Sequence, residues 1–98
     1  GEAVALLRRA LAERPQFAPL HNSLGAALKA AGDLAGARDA FERAAQLQPD
    51  LFDAQFNLGL VLDAQGVHAE AVAALRRASA IDPRRAEAHE ALGNALVH

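Results

Sequence analysis

Few side chains in this sequence can take part in covalent chemistry. It holds two serines (Ser23 and Ser79) and four histidines (His21, His68, His89 and His98), with no cysteine, threonine, tyrosine, tryptophan or methionine. A hydrolytic triad needs a nucleophile, a base and a group that orients the base, and neither serine has such companions at a suggestive spacing. A histidine metal site needs ligands that converge within a few ångströms. His21 and His89 occupy the same place in two units separated by a third, and His68 lies on a different kind of helix. Solvated or partly packed histidines are therefore expected, with a metal site as the alternative, and the expectation is no cofactor, no metal and no catalysis. The glycines are isolated, so no phosphate-cradling loop is present. Without cysteine there is no disulfide framework to report a compartment.

Positioning falls to helices. Of 98 residues, 26 are alanine and 15 leucine, against five valines and one isoleucine. Alanine, leucine and arginine favour helix, and β-branched residues that favour strands are scarce. Ten basic and twelve acidic side chains leave a net charge of −2. That balance speaks against a dedicated nucleic-acid binder, whose affinity rests on basic excess. No apolar run approaches the ~18 residues needed to cross a bilayer, so no membrane insertion is expected.

The chain repeats itself. Pro15, Pro49 and Pro83 are evenly spaced, and Gly25, Gly59 and Gly93 keep the same interval. Laid over one another, residues 18–51 and 52–85 are identical at 11 of 34 positions, among them Leu24/Leu58, Gly25/Gly59, Leu28/Leu62, Ala37/Ala71 and Ala44/Ala78. Apolar and small residues recur at helical spacing, Leu24, Gly25 and Leu28 first, then Ala37, Phe41 and Ala44. Gly32 and Gly66 separate the two sets, where a left-handed residue can close a helix. Asp33 is suited to cap the helix that follows; Val67, its counterpart, is not. Each proline disfavours helical geometry in its predecessor and so ends a unit. The pattern predicts helices over about 2–13, 18–31, 34–47, 52–65, 68–81 and 86–97. Gly25 and Ala37 have no bulk to hold paired helices apart, and Leu28 and Phe41 fill the space beside them. One such pair cannot bury its apolar stripe alone, so the units must stack.

A 34-residue helix-turn-helix unit with Leu-Gly, Ala, a large apolar residue and Pro in register resembles the tetratricopeptide repeat family. The matching residues are His21, Leu24, Gly25, Leu28, Ala37, Phe41 and Pro49 in one unit, and Gln55, Leu58, Gly59, Leu62, Ala71, Leu75 and Pro83 in the next. Ala3, Leu7 and Pro15 match the back half of a preceding unit, and His89, Leu92, Gly93 and Leu96 the front half of a following one. The family's aromatic position reads His21, Gln55 and His89, and its tyrosine-like position is leucine, which suggests smaller knobs between helices. The resemblance implies an all-α, right-handed superhelical solenoid forming one domain over 1–98: half-repeat 1–17, repeats 18–51 and 52–85, and half-repeat 86–98. Because Gly1 is not a start methionine, a piece of a longer, bacterial-type array is expected.

The resemblance also implies a function, the binding of a partner protein's peptide or helix in a concave groove lined by first helices. Mapped onto this sequence, that face carries Asn22, Ser23, Ala26, Lys29 and Ala30; then Asp53, Phe56, Asn57, Leu60, Asp63 and Ala64; then Glu87, Glu90, Ala91 and Asn94. Phe56 and Leu60 share a helical face and would form the apolar anchor, with Phe56 as plain core the alternative. Asn57 would offer a donor and an acceptor to a peptide backbone. Asp53, Asp63, Glu87 and Glu90 would favour a basic partner. Family members that clamp a terminal carboxylate use several basic side chains, and here only Lys29 is available. Members with an asparagine ladder are matched only at Asn57, Ser23 and Ala91 standing at the neighbouring places.

Arg9, Arg43 and Arg77 recur on the second helices, either as a solvated row with local pairs such as Asp39 to Arg43, or as a surface for phosphates or an acidic partner. Other readings are a spacer or self-association module, sticky at its ends where Leu92, Leu96 and Val97 lack a covering helix, and a targeting arm of a glycosyltransferase or sulfotransferase. The cytoplasm is the expected compartment, the periplasm the alternative. A far-ultraviolet circular dichroism spectrum of helix alone is expected, and a substantial sheet component would contradict the repeat assignment.

Overall fold

The computed structural model describes residues 1–97; His98, the last residue of the expected half-repeat, lies outside the described residues. Six helices follow one another: α1 (Glu2–Glu13), α2 (Ala18–Ala30), α3 (Leu34–Leu47), α4 (Phe52–Ala64), α5 (His68–Ile81) and α6 (Ala86–Leu96). Their order and starts are those the periodicity predicts, three of them ending one residue sooner. Among the described residues there is no strand, and no helix is long and apolar enough to cross a membrane. The molecule is an all-α solenoid, 39 × 25 × 18 Å.

Local chemistry sets the boundaries. Arg14, Gln48 and Asp82, each before a proline, take ψ of 70°, 85° and 90°, outside the helical region. At the other turn, Gly32 and Gly66 have φ of +87° and +82°. The amide of Asp33 reaches back to the carbonyl of Leu28, and that of Val67 to Leu62, at 2.9 Å each, which closes α2 and α4 with the same glycine-centred cap. Asp33 accepts from the Gly36 amide at 2.9 Å and caps α3, whereas Val67 leaves α5 without a side-chain cap.

The helices of a pair, α2 with α3 and α4 with α5, pack most extensively. The reason is at Gly25 and Gly59. A β-carbon on Gly25 would stand 2.5 Å from the ring of Phe41, and one on Gly59 2.5 Å from Cγ of Leu75. Phe41 and Leu75 are fully buried, so neither has room to yield. Around them Ala37, Ala40, Ala71 and Ala74 complete a core that runs through both pairs and joins Leu28, Leu58, Val61 and Leu62. A smaller cluster, Phe52, Ala78 and Ala88, continues it toward α6.

Two buried side-chain atoms lack a hydrogen-bond partner among the described residues, Oε1 of Gln65 and Oγ of Ser79. The hydroxyl of Ser79 on α5 is buried with no hydrogen-bond partner, while the equivalent position one repeat earlier holds Ala45. Ser79→Ala is therefore expected to stabilise the fold by about 1 kcal/mol, read from the urea midpoint. Gly59→Ala is expected to cost on the order of 1 to 3 kcal/mol through overpacking. Gly93→Ala, whose β-carbon would meet nothing within 4 Å, should instead raise stability by about 0.5–1 kcal/mol through helix propensity. Equal effects at Gly59 and Gly93 would contradict the close-approach role.

Candidate functional site

The first helices of the units lie side by side, α2 against α4 and α4 against α6. The backbones of the second helices α1, α3 and α5 do not approach one another in this way. The array therefore curves toward the first helices, whose outer faces form one continuous surface. On it Ser23, Ala26, Lys29 and Ala30 of α2 are exposed and Asn22 is half-buried. From α4, Asp53 and Ala64 are exposed, and Phe56, Asn57, Leu60 and Asp63 half-buried. From α6, Glu87, Glu90 and Asn94 are exposed and Ala91 half-buried.

Three features of this face were outside the reach of the pattern. Asn57 donates through Nδ2 to Oδ1 of Asn22 at 3.2 Å, tying α4 to α2 and leaving part of its hydrogen-bonding capacity for a ligand. Phe56 is half-buried, between the expected anchor and the alternative of plain core. It stacks on buried Phe52 with centroids 5.6 Å apart and planes 17° from parallel, and it packs against both core clusters. Leu60 is left as the more independent apolar group. Third, much of the acidic charge is already engaged. Arg85 lies over the Phe52 ring at 4.2 Å and pairs with Asp53 at 3.5 Å and Glu87 at 3.1 Å. His68 donates through Nδ1 to Asp63 at 2.7 Å. Glu90 and Lys29 make no ion pair among the described residues.

The opposite side carries a groove of about 530 Å³ between α3 and α5, floored by Leu58 and Leu62 of α4. At one end Arg38 bridges Glu42 at 2.8 Å and Glu70 at 3.3 Å, joining the two second helices. The hydrogen bond that Arg38 donates to Glu42, partly opposed by desolvation, holds its guanidinium above its usual pKa. This pair replaces the expected Asp39 to Arg43 contact; the acid that meets a basic residue one turn away is Glu42. At the other end Arg77 donates through Nε to Oε1 of Gln55 at 3.0 Å, and Gln55, only 3% exposed, donates to the Pro49 carbonyl at 3.1 Å. A smaller groove of about 300 Å³ lies one repeat earlier, with Arg43 in the place of Arg77 and His21 in that of Gln55.

His21 and His89 repeat the Gln55 contact, donating through Nε2 to the carbonyls of Pro15 at 2.8 Å and Pro83 at 2.9 Å. The departures from the aromatic position are thus more than smaller knobs. Each is a donor that follows a proline at the same short interval and holds the carbonyl that ends the previous unit. Three of the four histidines are occupied in these ways, and among the described residues no three His, Asp or Glu side chains gather as metal ligands.

Solved structures share this architecture. Two crystal structures of MamA superpose with TM-scores of 0.91 and 0.89 at 30% and 29% identity, over 96% and 94% of this chain. The chain spans about half of theirs, 51% and 54%. The first TPR of Spaghetti (RPAP3), bound to the HSP90 peptide SRMEEVD, superposes with a TM-score of 0.93 at 20% identity, over 96% of this chain and 75% of that one. No curated protein sequence matches significantly. Tetratricopeptide repeat models match residues 28–95 and residues 1–52. With the regular repeat register, the glycine-spaced helix pairs and these matches in agreement, the chain belongs to the tetratricopeptide repeat family.

Proposed function

We propose that the chain is a non-catalytic module that binds a peptide or helix of a partner protein on the face built by α2, α4 and α6. What carries this reading is the continuity of that face: helices from three units present Lys29, Asn57, Leu60 and Glu90 on one surface, with a half-buried leucine beside an asparagine that has hydrogen bonds to spare. Leu60 supplies the apolar anchor and the edge of Phe56 flanks it. The chain is read as one array, with half-repeats 1–17 and 86–98 around repeats 18–51 and 52–85, forming part of a longer one; the MamA chain on which it superposes is about twice as long.

The preferred peptide carries Lys or Arg. The Spaghetti (RPAP3) domain is seen with SRMEEVD, a peptide rich in acids. Here the face offers Lys29 as its single lysine, against Asp53, Asp63, Glu87 and Glu90. Since Arg85 and His68 engage three of those acids, the basic preference rests mainly on Glu90. A second reading, self-association through the end faces, is favoured by Leu96 and Val97, which are 56% and 81% exposed.

Selection from a display library of random dodecapeptides tests the first reading. Enriched peptides are expected to pair an apolar side chain with Lys or Arg and to bind Leu60→Ala at least about tenfold more weakly, a loss of ~1.4 kcal/mol. Binding should weaken with salt and with Glu90→Lys. Peptides that bind Leu60→Ala and Glu90→Lys as well as the unaltered chain would overturn it. Phe56→Ala is expected to lower stability by about 2 to 4 kcal/mol, somewhat below the range for a fully buried phenylalanine, in a urea titration.

A further inference from the structure

We propose that the groove between α3 and α5 is a second docking site, whose occupant is an amphipathic helix of a partner protein with an acid in its first turn, an apolar side chain in the middle and a base in its last turn. The site lies on the side opposite the face of α2, α4 and α6 and is independent of the binding read there.

The groove is built wholly from interior elements. Its walls are α3 and α5 and its floor is Leu58 and Leu62 of α4, so it owes nothing to where the chain begins or ends. It is open because Ala45 on α3 and Ala73 on α5 face it with a methyl group each. The molecule supplies its own comparison. One repeat earlier Leu11 and Asp39 stand at those two places, Leu11 is buried, and the groove measures about 300 Å³ instead of about 530 Å³. Small residues on two parallel helical walls thus leave room for an anchoring side chain of a third helix.

The two ends of the groove carry opposite charge. At the start of α5, Glu70 and Glu42 share a single arginine, Arg38, and Glu70 is 61% exposed, so this end keeps negative charge for a ligand. At the other end Arg77 spends its Nε on Gln55, and its two terminal nitrogens have no partner among the described residues. The polarity is particular to this groove. One repeat earlier Arg8 and Gly36 stand in the places of Glu42 and Glu70, and the smaller groove has no counterpart of the acidic end.

Charge and helix direction select the occupant. Glu70 and Arg77 lie seven residues apart on α5, a rise of about 10.5 Å. A helix lying along the groove meets both with an acid and a base at the same interval, and an apolar residue three or four positions from each falls on the same face, over Leu58 and Leu62. Acids are favoured in the first turn of a helix and bases in the last, so the acid comes first. Bringing that acid to Arg77 sets the occupant antiparallel to α3 and α5, the direction in which helix dipoles attract.

A display library of alanine-framed helical peptides, randomised along one face over two turns and selected on the 98-residue chain, tests this. Enriched helices are expected to carry acid, apolar residue and base in that order and to keep their affinity for Leu60→Ala, which separates this site from the α2, α4 and α6 face. They should bind Ala73→Phe, which fills the groove, at least about tenfold more weakly. Ala73 is exposed, so that variant should fold, as an unaltered helical circular dichroism spectrum would verify; Ala45→Leu, which copies the preceding repeat, serves in its place if it does not. Glu70→Lys should weaken the same peptides by about tenfold, and exchanging the peptide's base for Glu should restore binding to that variant, a rescue that damage to the fold could not give. Binders that all depend on Leu60, that hold the filled groove as well as the open one, or that carry their charges in another order would overturn the site, as would a selection that enriches nothing.

Discussion

The spacing of every helix pair in this array is set by an absent side chain. Gly25 and Gly59 let a second helix approach until Phe41 or Leu75 occupies the volume a β-carbon would need. The fully buried alanines Ala37, Ala71 and Ala74 and the nearly buried Ala40 fit only at that separation, since at a wider one they would line a void. An alanine-rich sequence buries little apolar area per residue, and close approach is how it reaches native packing density. The continuous face of α2, α4 and α6 follows from the same constraint, because uniform pair spacing brings successive first helices alongside one another.

Directional bonds then fix how units meet. Side chains at three equivalent places of successive repeats, His21, Gln55 and His89, donate to the carbonyls of Pro15, Pro49 and Pro83. Those prolines lie in the turns two residues beyond α1, α3 and α5, so their carbonyls have no amide of a helix to accept from. Gln55 does more than the histidines: its oxygen accepts from Arg77, so one buried amide links the end of α3, the start of α4 and the body of α5.

The fold was legible because its determinants are local and periodic. Leu-Gly, Ala and Pro recur in register, and each acts within its own turn or helix pair. The candidate face was legible only as a set of positions. That Arg85 joins Asp53 and Glu87, or that His68 takes Asp63, depends on side-chain directions at helix ends, which spacing does not encode. Phe56 shows the same limit: its place on the first-helix face was readable, but its stacking on Phe52 comes from a second aromatic one turn earlier whose orientation the register does not fix. By size alone His21 and His89 are losses from a packing pattern; their partner is a polar one, the carbonyl of the preceding proline, which a size pattern does not encode. The ion pair of α3 joins Arg38 to Glu42 in place of Asp39 to Arg43, and a shift of one position on a helix turns a contact by about 100°.

The buried amide of Gln55 has a mechanical consequence. Under tension applied at the two ends, an array of stacked pairs yields first where its junctions are weakest. The outer junctions are held by exposed histidine bonds that water can replace, whereas the central one is shielded and cross-linked to Arg77. Load would therefore break the histidine bonds to the carbonyls of Pro15 and Pro83 before the glutamine bond to that of Pro49, so that the repeat boundaries loosen unequally along the array.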